Sequence, residues 1–421
     1  MTTPTEAAVN GEPPAISADL LDPRLIQARG IRGYVDATVA KLRSGDLGSL
    51  PVIVGLVVIV GVFTTLNPKF LNAFNLVSLA QQVAAIGIMA MGVVLVLLLG
   101  EIDLSIGSVS GVAAAVLAVS NVTNGYSAAV SVALAIAGGA VIGLIHGLVF
   151  TKVGVPSFVV TLAGLLAWLG VQLWVLGSTG TINLPPNGTL TDIGQFSFLT
   201  GWQPYVLGVA LAALYLVGQV VKASRRKAAG LSVQPIWVTT TVTVALLVLS
   251  ALVAWKLNID RGLPWIFVFC VIIVLVMDWI LRRTKYGRAI FAVGGNIEAA
   301  RRAGIRVDLV RISVFVLAST FAATGGVVAA TYLGSASQQS GSGDVLINAI
   351  AAAVIGGTSL FGGRSRMYSA LLGALVIASI TNGLNLLSLE VEFRYLITGS
   401  VLLLAVVIDA VSQRGRKSAG R

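Results

Sequence analysis

The chain has 421 residues, of which 56% are hydrophobic and 11% charged, against roughly 25% charged in an ordinary soluble domain. Its 28 Lys and Arg outnumber 17 Asp and Glu, for a net charge of +11, but the basic residues sit in loops and tails and no basic cluster is interleaved with aromatic side chains. This excludes a soluble globular domain and a nucleic-acid binder. Single Cys270 and single His146 exclude an intrachain disulfide and a Cys/His metal centre.

Residues 1–46 read as a tail. Its first part is rich in Thr, Pro, Ala and Glu, with no short apolar core of the kind a cleavable signal peptide needs. Ile31, Val35, Val39 and Leu42 then recur at helical spacing, which predicts a helix lying on a membrane surface or packed on a loop of the same chain. A membrane domain follows over 47–411, and 412–421 form a second tail. A span needs about 20 mostly apolar residues. Candidate spans are 48–66, 76–99, 103–120, 127–150, 156–177, 203–221, 236–255, 263–281, 310–333, 344–361, 367–388 and 394–411. The predicted fold is therefore an all-α polytopic membrane protein, a bundle of about 12 transmembrane helices. Segments 103–120 and 344–361 are rich in small residues and at the short limit. Either suits a broken helix, tolerated where the open backbone lines a cavity.

With twelve crossings, the basic residues segregate. Arg24, Arg29, Arg32, Lys41 and Arg43, then Lys152, Lys222 to Lys227, the stretch 282–308, Arg364 and Arg366, and the C-tail all fall on one side. Lys69, Lys256, Arg261 and Arg394 are left on the other. Cytoplasmic loops carry the Lys/Arg excess, so both termini and 282–308 are expected in the cytoplasm. Gly139, Gly143 and Gly147 form a stripe at four-residue spacing, and Gly107 and Gly111 repeat that spacing, which lets helix backbones approach closely.

The stretch 282–308 is a polar island between two apolar runs. Its centre, Asn296 to Ile305, predicts a short helix with an Asn cap, Glu298 in the first turn, two alanines and Gly304 as a stop. It reads either as a solvated loop or as a docking element for a soluble partner.

Acidic residues near apolar runs (Glu101, Asp103, Asp278, Asp344, Asp409) are all terminal, so no carboxylate relay crosses the bilayer. Gln81, Gln82, Thr161, Trp168, Gln172, Asn348, Asn382 and Asn385 are mild polar groups at mid-helix. Amides and hydroxyls with an aromatic face suit a neutral hydrophilic solute such as a sugar, and Gln81, Gln82, Thr161, Trp168, Asn348 and Asn382 are the candidate path residues. Hydrogen bonds between helices would explain the same residues. His146 is expected to be a packing residue. No Gly-Lys pair occurs, so no Walker A loop holds ATP, and no catalytic, metal or cofactor site is visible.

Four stretches carry a resemblance. Glu298-Ala299-Ala300-Arg301-Arg302-Ala303-Gly304 resembles the EAA-x-x-x-G coupling loop of ABC-importer permease subunits. Gly100 to Ser108 (GEIDLSIGS), Val155 to Leu165 and Asn348 to Ser365 resemble the monosaccharide branch of that family. An extra pair of spans over about 185–255, added to a ten-span core, and Glu101 in place of a second glycine make the chain similar to xylose-type permeases. The resemblance implies a pore of two permease subunits, expected to be a homodimer in a bacterial inner membrane. It implies a sugar-binding protein outside and ATP-binding cassette subunits seated on Glu298, Ala299, Ala300, Arg301, Arg302 and Gly304, with ATP held on that partner chain. A pentose such as xylose is the expected solute. A branched-chain amino-acid permease, a stand-alone secondary transporter and an export component are the alternatives.

Overall fold

The computed structural model describes residues 50–400, apart from 232, 361, 364, 391 and 394, together with 403 and 407. The expected surface helix, most of the expected span 394–411 and the C-terminal tail lie outside the described residues. Among the described residues, nine helices are long and apolar enough to cross a membrane, and the protein is an all-α polytopic membrane protein. The elements are α1 (Leu50–Leu66), α2 (Ala73–Leu98), α3 (Ile106–Ala118), α4 (Ala128–Leu148), α5 (Ser157–Leu176), α6 (Gln203–Ala228) and α7 (Ile236–Asn258). They continue as α8 (Trp265–Arg283), α9 (Lys285–Gly295), α10 (Ile297–Arg302), α11 (Val307–Leu333), α12 (Asp344–Ile355) and α13 (Tyr368–Leu386). A wider π-turn prolongs α3 to Thr123 and α4 to Val153.

One expected span is shorter than predicted: α12 has 12 residues, about 18 Å of rise. The run 344–361 stops early because Gly356 is packed against Ser369 and Gly357 takes a positive φ of 97°, so the chain turns away.

The chain divides into two compact units. One holds residues 201–256. In it α6 starts on Pro204 and ends on Arg225, Arg226 and Lys227, the C-terminal placement that suits a helix dipole. Gly208 leaves room for Ser250. Val209, Val217, Val244 and Leu249 stay exposed, as expected for surface that faces lipid.

The other unit is built around α2, which is buried at nearly every position from Val83 to Leu98. Helix α11 packs along it and along α4 through glycine. A β-carbon on Gly143 would run into the Phe315 carbonyl, and one on Gly139 would meet the Ala323 side chain and the Ser319 carbonyl. The predicted stripe is thus a backbone-to-backbone seam between α4 and α11. Gly107 and Gly111 serve a different contact: they face Gly341 and Ser340, in the irregular chain before α12. At one end of the unit two short antiparallel strand pairs form, β1 (Thr181–Asn183) with β4 (Ser335–Ser337) and β2 (Phe198–Leu199) with β3 (Leu263–Pro264). At the opposite, basic end lie the Lys152–Asp308 and Arg282–Asp278 ion pairs and the bond from the Gly363 amide to the Leu98 carbonyl.

Filling the seam is expected to destabilise the fold. Gly143→Val should cost about 1–3 kcal/mol through overpacking. Gly55→Ala, on open helix surface with nothing within 4 Å, should gain about 0.5–1 kcal/mol. Thermal unfolding of the detergent-solubilised variants reads both signs.

Candidate functional site

The polar island folds into two helices, one more than its sequence suggests. Helix α9 caps on Thr284, whose hydroxyl accepts from the Gly287 amide, and buries Gly287, Ile290 and Val293. Its end is pinned because Gly294 lies against the Leu98 carbonyl, leaving no space for a side chain. Burial pushes the Tyr286 phenol above its usual range, and its oxygen lies 2.8 Å from Ser313 Oγ. Helix α10 follows, capped as predicted: the Asn296 side chain accepts from the Ala299 amide at 2.9 Å. The Ile305 amide returns to the Ala300 carbonyl and Gly304 sits at φ 78°, a left-handed stop.

Ala300 points inward and is buried, with Ile297 and Ile305 packed beside it. Glu298, Ala299, Arg301, Arg302 and Gly304 are all exposed. The Glu298–Arg301 pair, 3.1 Å apart, is 68% and 58% exposed, so it adds only a few tenths of a kcal/mol and leaves its charges available. A ledge of one acid and two arginines thus stands on a buried alanine foot. It can dock a polar surface and cannot do covalent chemistry.

Directly after α10, the first turns of α11 reach the open chain between α2 and α3. Arg311 pairs with Glu101 at 3.2 Å, both less than a fifth exposed, and Ser157 donates to the second Glu101 oxygen at 2.6 Å. The guanidinium lies over the Phe150 ring at 4.7 Å, and its Nε has no partner among the described residues. One turn lower, Asp308 holds Lys152. Four chain segments therefore meet at the root of α11.

The same open chain is held again at Asp103. The Trp168 indole can only donate, and it donates to His146 Nε2 at 2.9 Å. The imidazole proton must therefore sit on Nδ1, facing Ser105 Oγ at 3.4 Å, while the Ser105 hydroxyl donates to Asp103 Oδ1 at 2.6 Å. Every proton in the chain Trp168–His146–Ser105–Asp103 points one way, and Asp103 Oδ2 is buried without a partner among the described residues. His146, expected only to pack, is a working link.

The predicted path residues do not converge. Gln81 donates to the Gly194 carbonyl, Gln82 lies near Ser78 Oγ, Thr161 bonds back to the Ser157 carbonyl, and Asn382 exchanges hydrogen bonds with Asn75. Trp168 serves His146. Asn348, 9% exposed, makes no hydrogen bond among the described residues. Gln172 Nε2 holds the carbonyls of Ser337 and Ser340, at 2.9 and 2.8 Å. Arg311 was not legible as a site residue, since one charge near the end of an apolar run looks like a terminus; the Glu101 and Asp103 pattern in GEIDLS was the available signal.

Nine apolar helices among the described residues, with an exposed, capped polar helix between two of them, define a polytopic membrane protein. The family described as "Branched-chain amino acid transport system / permease component" matches residues 75–406, and the chain belongs to it. It is 35% identical over 377 residues to the xylose transport system permease protein XylH of Escherichia coli K12, covering 89% of this chain and 94% of that one. It is 33% identical over 381 residues to XylH of Haemophilus influenzae, covering 89% and 99%. It is 33% identical over 361 residues to the ribose import permease protein RbsC of E. coli K12, covering 86% and 93%. No solved structure matches it. The chain is a transport component and not an enzyme.

Arg311→Met should strand the buried Glu101 carboxylate and cost about 3–5 kcal/mol. Adding Glu101→Gln should recover part of it, giving a non-additive double-mutant cycle in thermal unfolding.

Proposed function

We propose that the chain is the membrane subunit of an ATP-driven importer that carries a monosaccharide, a pentose such as xylose, across a bacterial inner membrane. The observation that carries this reading is α10: a polar helix exposed on every side but its alanine foot, in a chain whose sequence holds no Walker A loop. ATP would be bound and hydrolysed on a separate cassette subunit docked on Glu298, Ala299, Arg301, Arg302 and Gly304, with Ala300 as the anchor. A sugar-binding protein would deliver solute from outside, and a second copy of the chain would complete the pore. The reading includes twelve crossings with both termini in the cytoplasm, as the one-sided distribution of Lys and Arg implies. The names of the relatives support a sugar as the solute. A zwitterionic amino acid would require a basic partner, and residues 335–355 contain no Lys or Arg.

Uptake of labelled xylose, ribose and arabinose in a strain lacking the gene tests the solute; unchanged uptake of all three on deletion overturns it. Gly304→Arg tests the coupling. A β-carbon there would meet no neighbour, so the local effect is backbone strain of about 1–2 kcal/mol at the left-handed stop, plus the new charge. The expected result is membrane-inserted protein with uptake lost. Wild-type uptake by this variant would exclude the coupling role, and uptake in vesicles without any ATPase subunit would favour a secondary transporter.

A further inference from the structure

One helix of the bundle starts inside it. Helix α12 ends beside the start of α13, where Gly356 packs on Ser369 at the basic end, and rises only about 18 Å from there. Against a hydrocarbon core of about 30 Å, its N-terminus at Asp344 lies near mid-depth. Helix α3 lies beside it: its Gly107 faces the Gly341 carbonyl and the Leu346 side chain. From β4 at the far end the chain runs inward without helix through Gln338–Gly343, braced by Gln172 at the carbonyls of Ser337 and Ser340. The N-terminus of one half-length helix, α12, and a stretch of open backbone thus meet inside the bundle. Such backbone is tolerated there only where protein or water, rather than lipid, adjoins it.

The side chains give the direction. Gln339 and Asp344 are exposed on this inner stretch, where lipid could not solvate them, whereas Gln338, whose amide bonds the Gly180 carbonyl, belongs to the strand-pair end. Asn348, one turn into α12 on the Asp344 face, is 9% exposed, and its amide makes no hydrogen bond among the described residues. An amide so placed without a partner is an opening for a ligand group. The Asp344 carboxylate accepts from the Tyr395 hydroxyl at 3.3 Å, and Ile347 adds apolar surface, 46% exposed.

We propose that this face is the wall of the translocation path, and that Asn348 and Asp344 contact an uncharged polyhydroxylated solute as it crosses mid-membrane. An amide and a carboxylate can each bind hydroxyls, and Ile347 offers surface to the C–H side of a sugar ring. The helix N-terminus favours oxygen atoms without demanding a full charge. The solute class rests on the importer reading above; the wet mid-membrane face does not.

Cysteine accessibility separates the two. Cys270 is the single cysteine and is buried, so Cys270→Ala gives a silent background. Gln339→Cys and Asn348→Cys would be placed in it, with Val57→Cys on α1, 66% exposed, as the control facing lipid. The full transporter in native membranes is treated with a charged, water-soluble thiosulfonate, with and without xylose. Both path positions should react at least about tenfold faster than Val57→Cys, and xylose should slow Asn348→Cys severalfold. Reaction no faster than the control overturns the wet face. Fast reaction that xylose, ribose and arabinose all leave unchanged, in membranes that still take up sugar, overturns the solute contact. If the wild-type chain moves no sugar, the importer reading fails while the labelling rates still decide the wet face. Asn348→Leu is a second arm. Because that amide makes no hydrogen bond among the described residues, thermal stability should hold while maximal uptake falls about tenfold; unchanged uptake also overturns the contact.

Discussion

Backbone amides and carbonyls inside a bundle must find partners within the protein, and this chain leaves helix at two places that test the constraint, the basic-end turn between α2 and α3 and the inner stretch before α12. Each break is held by side chains from other helices. Between α2 and α3, Ser157, Arg311 and the His146 relay grip Glu101 to Ser105. Before α12, the single amide of Gln172 grips the carbonyls of Ser337 and Ser340. The glycine seams bring the helices close enough for these short reaches to work, because a bundle spaced by larger residues would leave the carbonyls bare.

The same contacts give the docking element a line into the membrane. Helix α10 leads through Gly304 straight into α11, the helix that carries Asp308 and Arg311 and touches α2, α3 and α4. Helix α10 is thus contiguous with the root of α11, where two ion pairs and the Ser157 hydrogen bond join four segments, and through α11 with the glycine seam. Near the far end of that seam Gly326 lies against Ser110 of α3, one turn from the glycines that face the open chain before α12.

Much of this was legible in the sequence where the signal is local. The Asn296 cap, Glu298 and Gly304 fix α10 by the chemistry of a few adjacent residues. The four-residue glycine spacing points to the α4–α11 seam, and of the two short, small-residue segments 344–361 is the one cut short, while 103–120 forms a continuous span. What stayed hidden depends on distant partners. Helix α9 looked like loop because Gly287, Ile290 and Val293 make a thin apolar face among charges. Glu101 and Arg311 are 210 positions apart, so neither announces the other. Gln81 and Asn382 have the chemistry of path residues, and only the fold shows Gly194 and Asn75 already holding them.

Helix α10 has six residues, far below the length at which a helix persists unaided in water. Its cap, its stop and the buried Ala300 hold its shape, yet almost nothing covers it. Such an element carries little stability of its own, and whatever docks there would stiffen it. A subunit that binds α10 would then do more than attach: it would convert a loosely held turn into a rigid lever, so that the membrane bundle feels force only when its partner is in place.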